Sequence, residues 1–281
     1  MKNSFLSYND SLKLNEFFVC LLVCIQAFLS GSFLVIFDIA AHIHFIEAYG
    51  AEMMPEAFLI SGIIGFIYMS VYVFFSNRLN FRIFVLINYL IILAVLVSLF
   101  INEDLLQVQF FNVPMMMPFT LMLPVNIIVL LIFWRSVRNI FSPQKSRILS
   151  TYIKASQISG IILSSFVLLV LFYLPWDRNL MMISVLILLS LVILFQLIIN
   201  VIHRFSPSSY HLPKKLNPLR SKLIELFYTR YTLLLLVFVI LSTIIGYIVH
   251  YQFITLASIN FPSLSGFSKF LAFSMGFIFI I

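Results

Sequence analysis

Seven long apolar segments constrain this sequence more than any other feature. A helix needs about 20 apolar residues to cross the hydrocarbon core of a bilayer. Seven segments meet this length, and the predicted spans are residues 16–41, 55–76, 81–101, 110–134, 153–174, 180–202 and 231–254. An eighth apolar segment begins near Phe267 and reaches Ile281 after only about 15 residues, which predicts that the chain is truncated within a span.

The composition excludes a soluble globular protein. Hydrophobic residues make up 62% of the 281 residues and charged residues 10%, whereas soluble domains carry about 45–50% and about 25%. The 32 Phe and 12 Tyr residues exclude a disordered chain. The first apolar segment is also longer than the core of a cleaved signal peptide. We therefore predict an all-α, polytopic transmembrane helical bundle, with the lipid bilayer as its main partner.

The positive charges predict the orientation of the chain. If the N-terminus is cytoplasmic, 15 of the 17 Lys and Arg residues lie on the cytoplasmic side, and only Arg178 and Lys269 lie outside. This agrees with the enrichment of basic residues in cytoplasmic loops. It predicts a multi-pass protein of the cell (inner) membrane with a cytoplasmic N-terminus. It also explains the net charge of +7 without a nucleic-acid partner.

Asp38 is the one acidic residue in the interior of a predicted span. An ionised carboxylate is costly in lipid, so Asp38 is expected to face a partner, a cavity or the membrane interface. His42 lies four residues later, on the same helix face. Asp38 is either a cavity-lining, proton-binding or latching residue, or a solvated interfacial residue. His42, His44 and Glu47 are expected to form a polar outer helix end and not a metal site, because residues two apart on a helix point in different directions.

Other polar residues are sparse within the predicted spans. Gln26, Asn126 and Gln157 lie in the first, fourth and fifth spans, and Gln196 and Asn200 lie four apart in the sixth. Such residues either join helices by hydrogen bonds or line a water-filled path. Metalloprotease, serine-hydrolase and P-loop motifs are absent from the sequence. We therefore expect no enzyme activity, no catalytic residues and no cofactor.

Two stretches resemble a known family. The first comprises Phe133-Trp134-Arg135-Ser136-Val137-Arg138-Asn139-Ile140-Phe141, the segment 144–149 and Lys154-Ala155-Ser156-Gln157-Ile158-Ser159-Gly160; the second surrounds Arg230-Tyr231-Thr232. They resemble the bacterial ATP/ADP-translocase-like nucleotide transporters of the major facilitator superfamily. The resemblance implies a six-helix bundle over residues 1–202, a basic cytoplasmic linker over 203–230 and the start of a second bundle over 231–281.

The resemblance implies a solute transporter that moves nucleotides (ATP/ADP) or another organic anion by alternating access. Basic residues near the fourth and fifth spans would attract such an anion, although the positive-inside bias alone produces the same cluster. The candidate substrate-binding residues are Asp38, Gln26, Lys154, Gln157, Arg135 and Asn126. The main alternative is a non-transporting membrane scaffold that binds partner subunits. A lipid-directed membrane enzyme is a weaker alternative, since no catalytic constellation supports it.

Overall fold

A computed structural model describes residues 2–76, 78, 80–105, 113–141, 143–173, 178–204 and 230–280. Within these ranges the regular structure is helical throughout, without strands, and the predicted all-α fold class is confirmed. The elements are α1 (Lys2–Tyr49), a short 3₁₀ turn (Ala51–Met53), α2 (Met54–Ser76), α3 (Phe81–Leu105), α4 (Val113–Ile140), α5 (Pro143–Leu171), α6 (Arg178–Arg204), α7 (Arg230–Asn260) and α8 (Leu264–Ile278).

In the described ranges, seven helices are long and apolar enough to cross a membrane, as the sequence predicts. They are α1 to α7, whereas α8 is a shorter apolar helix. The chain is thus a multi-pass membrane protein. We call the end at which α1 begins its membrane span at Phe17 the predicted cytoplasmic end, and the end at which α1 finishes, at Tyr49, the predicted outer end.

Several helix boundaries differ from the sequence prediction, and two of them lie at recognisable start or stop signals. α1 continues to Tyr49, well past residue 41, and ends where Gly50 adopts a φ of 73°. The Gly50 N–H donates to the carbonyl of Ile46, the bond that commonly closes a helix at a glycine with positive φ. α5 begins at Pro143 and not near residue 153. Proline suits the first helical position, because its fixed φ is helical and its missing N–H has no partner there anyway.

The first six helices divide into two interlocked sets of three consecutive helices, α1–α3 and α4–α6, which pack mainly against each other. α1 packs most extensively against α5 and α6, while α4 packs against α2 and α3. α1 also packs on α4, and α3 on α6. The contacts are therefore symmetric between the two sets. The α1–α5 interface corresponds to α4–α2, and the α1–α6 interface corresponds to α4–α3. The α1–α4 and α3–α6 interfaces correspond to themselves. By contrast, the chain neighbours α2 and α3 share only a slight contact, as do α4 and α5.

α7 joins the other helices only at its predicted outer half. Ile254 and Ala257 are buried and His250 is half-buried, but nearly all residues from Tyr231 to Gly246 are exposed. α7 packs against the 3₁₀ turn and α8, while α8 packs against α5 and α1. Ser263 caps the start of α8, because its side-chain oxygen accepts a hydrogen bond from the Gly266 N–H at 3.2 Å. Most of the predicted basic linker lies outside the described residues.

Candidate functional site

A pair of histidines joins α1 to α7 near the predicted outer end. The Nε2 atoms of His42 on α1 and His250 on α7 lie 2.9 Å apart. His42 is fully buried. The sequence suggested that this stretch of α1 is a polar helix end. Instead, α1 continues for almost two more turns. His42 therefore lies well before the end of the helix, and its side chain faces a neighbouring helix.

The hydrogen bonds determine which ring nitrogens carry protons. His42 Nδ1 lies 2.8 Å from the carbonyl oxygen of Asp38, which can only accept, so Nδ1 carries a proton and donates it. When His42 is neutral, its Nε2 must then accept. The Nε2–H of His250 therefore donates to His42 Nε2. One proton lies between the two facing nitrogens, and a second one there would break the bond.

Aromatic side chains surround the histidine pair. The Phe119 ring on α4 meets His42 edge-on at a centroid distance of 5.1 Å, and the Phe58 ring on α2 lies 6.2 Å from that of His250. Phe58 also contacts Phe119 and Tyr247, at 5.2 Å and 4.9 Å. The pair thus lies in a mainly apolar setting, where hydrogen bonds are stronger than in water and an unpaired polar group is costly.

Asp38, the acidic residue singled out by the sequence, belongs to this cluster. Its carboxylate oxygen lies 4.0 Å from His42 Nδ1, and the Asp38 side chain keeps 21% of its surface exposed. His42 also forms the hydrogen bond to His250, so it links Asp38 to that residue. The three residues therefore form one titratable group of side chains, which we call the Asp-His-His cluster (Asp38, His42 and His250). Across the described residues, no group of three or more potential ligands has the arrangement of a metal site.

Gln26 lies in a separate polar network closer to the predicted cytoplasmic end. Its Nε2 donates to Oε1 of Gln196 on α6 at 2.9 Å. The Nε2 of Gln196 donates to Ser136 Oγ on α4 at 3.0 Å and to Asn200 Oδ1 at 3.2 Å. Gln26, Gln196 and Ser136 are buried. This network uses the polar groups of three helices, as interhelical hydrogen bonds in membranes do.

Gln157 lies at the close crossing of α1 and α5, where the backbones approach each other across glycines. A Cβ atom at Gly31 would collide with the carbonyl oxygen of Gln157, and one at Gly160 would collide with that of Phe28. The Ser156 hydroxyl donates across the same interface to the carbonyl of Cys24 at 2.7 Å. Small residues and interhelical hydrogen bonds of this kind are typical of tight helix packing in membranes.

Arg135 and Lys154 lie towards the predicted cytoplasmic end. The Arg135 guanidinium donates to the carbonyl of Ser76 at 3.1 Å and lies 5.7 Å from the Phe84 ring centre. Lys154 is exposed, and its Nζ lies 5.8 Å from the ring centre of Trp134. Asn126 is half-buried within α4, and its side-chain oxygen has no hydrogen-bond partner among the described residues.

The six residues nominated from the sequence are thus distributed along the bundle and do not converge on one pocket. One crevice between α1, α3, α4 and α6 has an entirely apolar lining that includes Phe37, Leu96, Pro118 and Met182. Sequence reasoning did not nominate His250, which forms a side-chain hydrogen bond from α7 to α1. A signal was available, because a histidine within a long apolar span is costly without a partner.

No known family model, curated protein or solved structure matches the chain. The function of this membrane protein has to be inferred from its own helices and side chains.

Proposed function

We propose that this chain is an integral membrane solute transporter of the major-facilitator type that works by alternating access. The interlocked sets α1–α3 and α4–α6 carry this proposal. Since each set has three spans, an odd number, consecutive sets enter the membrane from opposite sides. Inverted repeats of three helices are the building plan of each six-helix half of such transporters.

The attachment of α7 supports the same proposal. α7 packs only at its predicted outer half, so its predicted cytoplasmic half stands apart from the described helices. In alternating access, one side of the protein closes while the other opens, as two groups of helices rock against each other. The arrangement corresponds to a state that is closed on the outer side.

We propose a nucleotide or another organic anion as the substrate. This rests on the resemblance of residues 133–160 and on the basic side chains Arg135, Arg138, Arg147 and Lys154 near the predicted cytoplasmic ends of α4 and α5. Several like charges at one mouth raise the local concentration of an anion. Lys154 is the most informative of the four, because it is exposed next to Trp134.

Uptake by proteoliposomes tests the proposal. The full chain would be reconstituted and supplied with radiolabelled ATP, ADP, other organic anions and neutral solutes. We expect uptake above that of empty vesicles for at least one anion, and a weaker uptake at low substrate concentration for Lys154→Gln. Lys269→Gln is the matched control, because its Nζ packs over the Tyr173 ring at the opposite end. Uptake no greater than that of empty vesicles for every solute would refute the proposal.

A membrane scaffold is the second candidate function. The observation in its favour is α7, whose residues from Tyr231 to Gly246 are almost all exposed and could be covered by partner helices. A scaffold would keep its cellular role after simultaneous replacement of Asp38, Lys154 and Gln157, whereas a transporter that uses them would not.

A further inference from the structure

We propose that the Asp-His-His cluster binds one proton and that this proton holds the outer half of α7 against α1. This deepens the proposed function and rests on it in one respect, since it names the ion that would be coupled to transport. The cluster joins two helices that have little other contact with each other. α7 packs on the remaining helices only near its outer end.

The charges of the cluster suit a single added proton. With both histidines neutral, the ionised Asp38 carboxylate gives the cluster a charge of −1. One proton from solution makes the cluster neutral, and Nδ1 of His250 can take it without disturbing the hydrogen bond between the facing Nε2 atoms. Neutrality matters here because charge within a membrane span is costly unless it is compensated.

The added proton also strengthens the contact between the helices. His250 as an imidazolium still donates its Nε2–H to Nε2 of His42, at the observed 2.9 Å. Hydrogen bonds with an ionised donor are roughly twice as strong as neutral ones. A second added proton would place an N–H on each facing nitrogen and replace attraction by repulsion. The two facing histidines therefore accommodate one added proton and no more.

From the neighbouring helices, aromatic rings contact the pair. α2 and α4 contribute the rings of Phe58 and Phe119, and α7 contributes Tyr247, which contacts Phe58. The acidic residues Glu47, Glu52 and Glu56 of the same end are exposed. Binding of the proton and closure of the outer end are then linked, so each favours the other by the same free energy.

Distance measurement by double electron–electron resonance tests this inference on the full chain in nanodiscs. Spin labels would be placed at Glu52 in the 3₁₀ turn and Ile259 on α7, which are both exposed. Cys20 and Cys24 would first be replaced by alanine. A second pair, Glu52 and Val170 on α5, reports on the first six helices alone and serves as the control.

We expect the short-distance population of the α7 pair to grow as the pH falls from 8 to 6. For one linked proton, the ratio of short to long distances changes by at most about tenfold per pH unit. His42→Gln and His250→Gln should remove this response, because the glutamine amide forms hydrogen bonds but does not titrate in this range. His44→Gln, also buried on α1, is the matched control and should keep the response.

Asp38→Asn gives an independent check that does not remove either histidine. Without the carboxylate, the added proton leaves the cluster positive, so the midpoint of the distance change should move to lower pH. A wild-type distance that is independent of pH would overturn the inference. So would a response that survives in both His42→Gln and His250→Gln, or one of equal size in the control pair.

The test separates this inference from the proposed function. A pH-dependent distance in a chain that transports no solute keeps the proton site and refutes the transporter. Solute uptake with a distance that is independent of pH keeps the transporter and refutes the proton site.

Discussion

Alanine at Gly31 or Gly160 should destabilise the protein, because the backbones of α1 and α5 leave no space for a Cβ atom. The new methyl group would meet a backbone carbonyl oxygen on the facing helix, Gln157 for one glycine and Phe28 for the other. Backbone cannot turn aside as a flexible side chain can. The helices would have to separate by roughly 1 Å to restore an ordinary carbon–oxygen contact, across the most extensive interface of the bundle.

The magnitude follows from two opposing effects. Overpacking costs about 1–3 kcal/mol, and a clash with backbone belongs at the upper end of that range. Replacing a helical glycine by alanine returns about 1 kcal/mol. We expect a net destabilisation of about 2 kcal/mol for each substitution, or about 30-fold in the unfolding equilibrium. The double variant should lose less than twice this value, because both clashes are relieved by the same separation of the helices.

Gly62→Ala and Gly246→Ala are the matched controls. Both glycines are helical, but nothing lies within 4 Å of the Cβ position in either case. These variants should therefore be neutral or more stable by up to about 1 kcal/mol. Unfolding by SDS in mixed micelles, followed by tryptophan fluorescence, measures all five variants. If Gly31→Ala and Gly160→Ala behave like the controls, the tight crossing of α1 and α5 is refuted.

Three further predictions concern the polar contacts and the orientation. Gln196→Leu leaves three polar partners unsatisfied and should lower the free energy of unfolding by about 1–2 kcal/mol. Ser190→Ala, an exposed site on the same helix, should be neutral in the same SDS titration. Ser156→Ala should cost about 0.6 kcal/mol, because it removes one hydrogen bond across the α1–α5 interface; an unchanged midpoint would contradict this. In intact cells, an impermeant thiol reagent should label Glu52→Cys and leave Arg147→Cys unlabelled, and the reverse result would refute the cytoplasmic N-terminus.

The sequence by itself determined the class of the protein, because the bilayer acts on each span separately. A span must be long enough and apolar enough whatever its neighbours are, so the number of spans and their approximate positions can be predicted locally. Helix ends were harder to predict. Pro143 and Gly50 are recognisable start and stop signals, but His42 and His44 suggested a polar end at a point where α1 continues to Tyr49.

Only the tertiary structure decided which polar residues meet. The sequence singled out Gln26 and His42, but their neighbours, Gln196 and His250, come from residues far away along the chain. In water, an apolar stripe tells which side of a helix is buried. In lipid, the exposed and the buried sides of a helix are both apolar, so the pattern does not reveal its rotation or its partners. The pairing of His42 with His250 depends on that rotation, and for this reason only the packed helices reveal it.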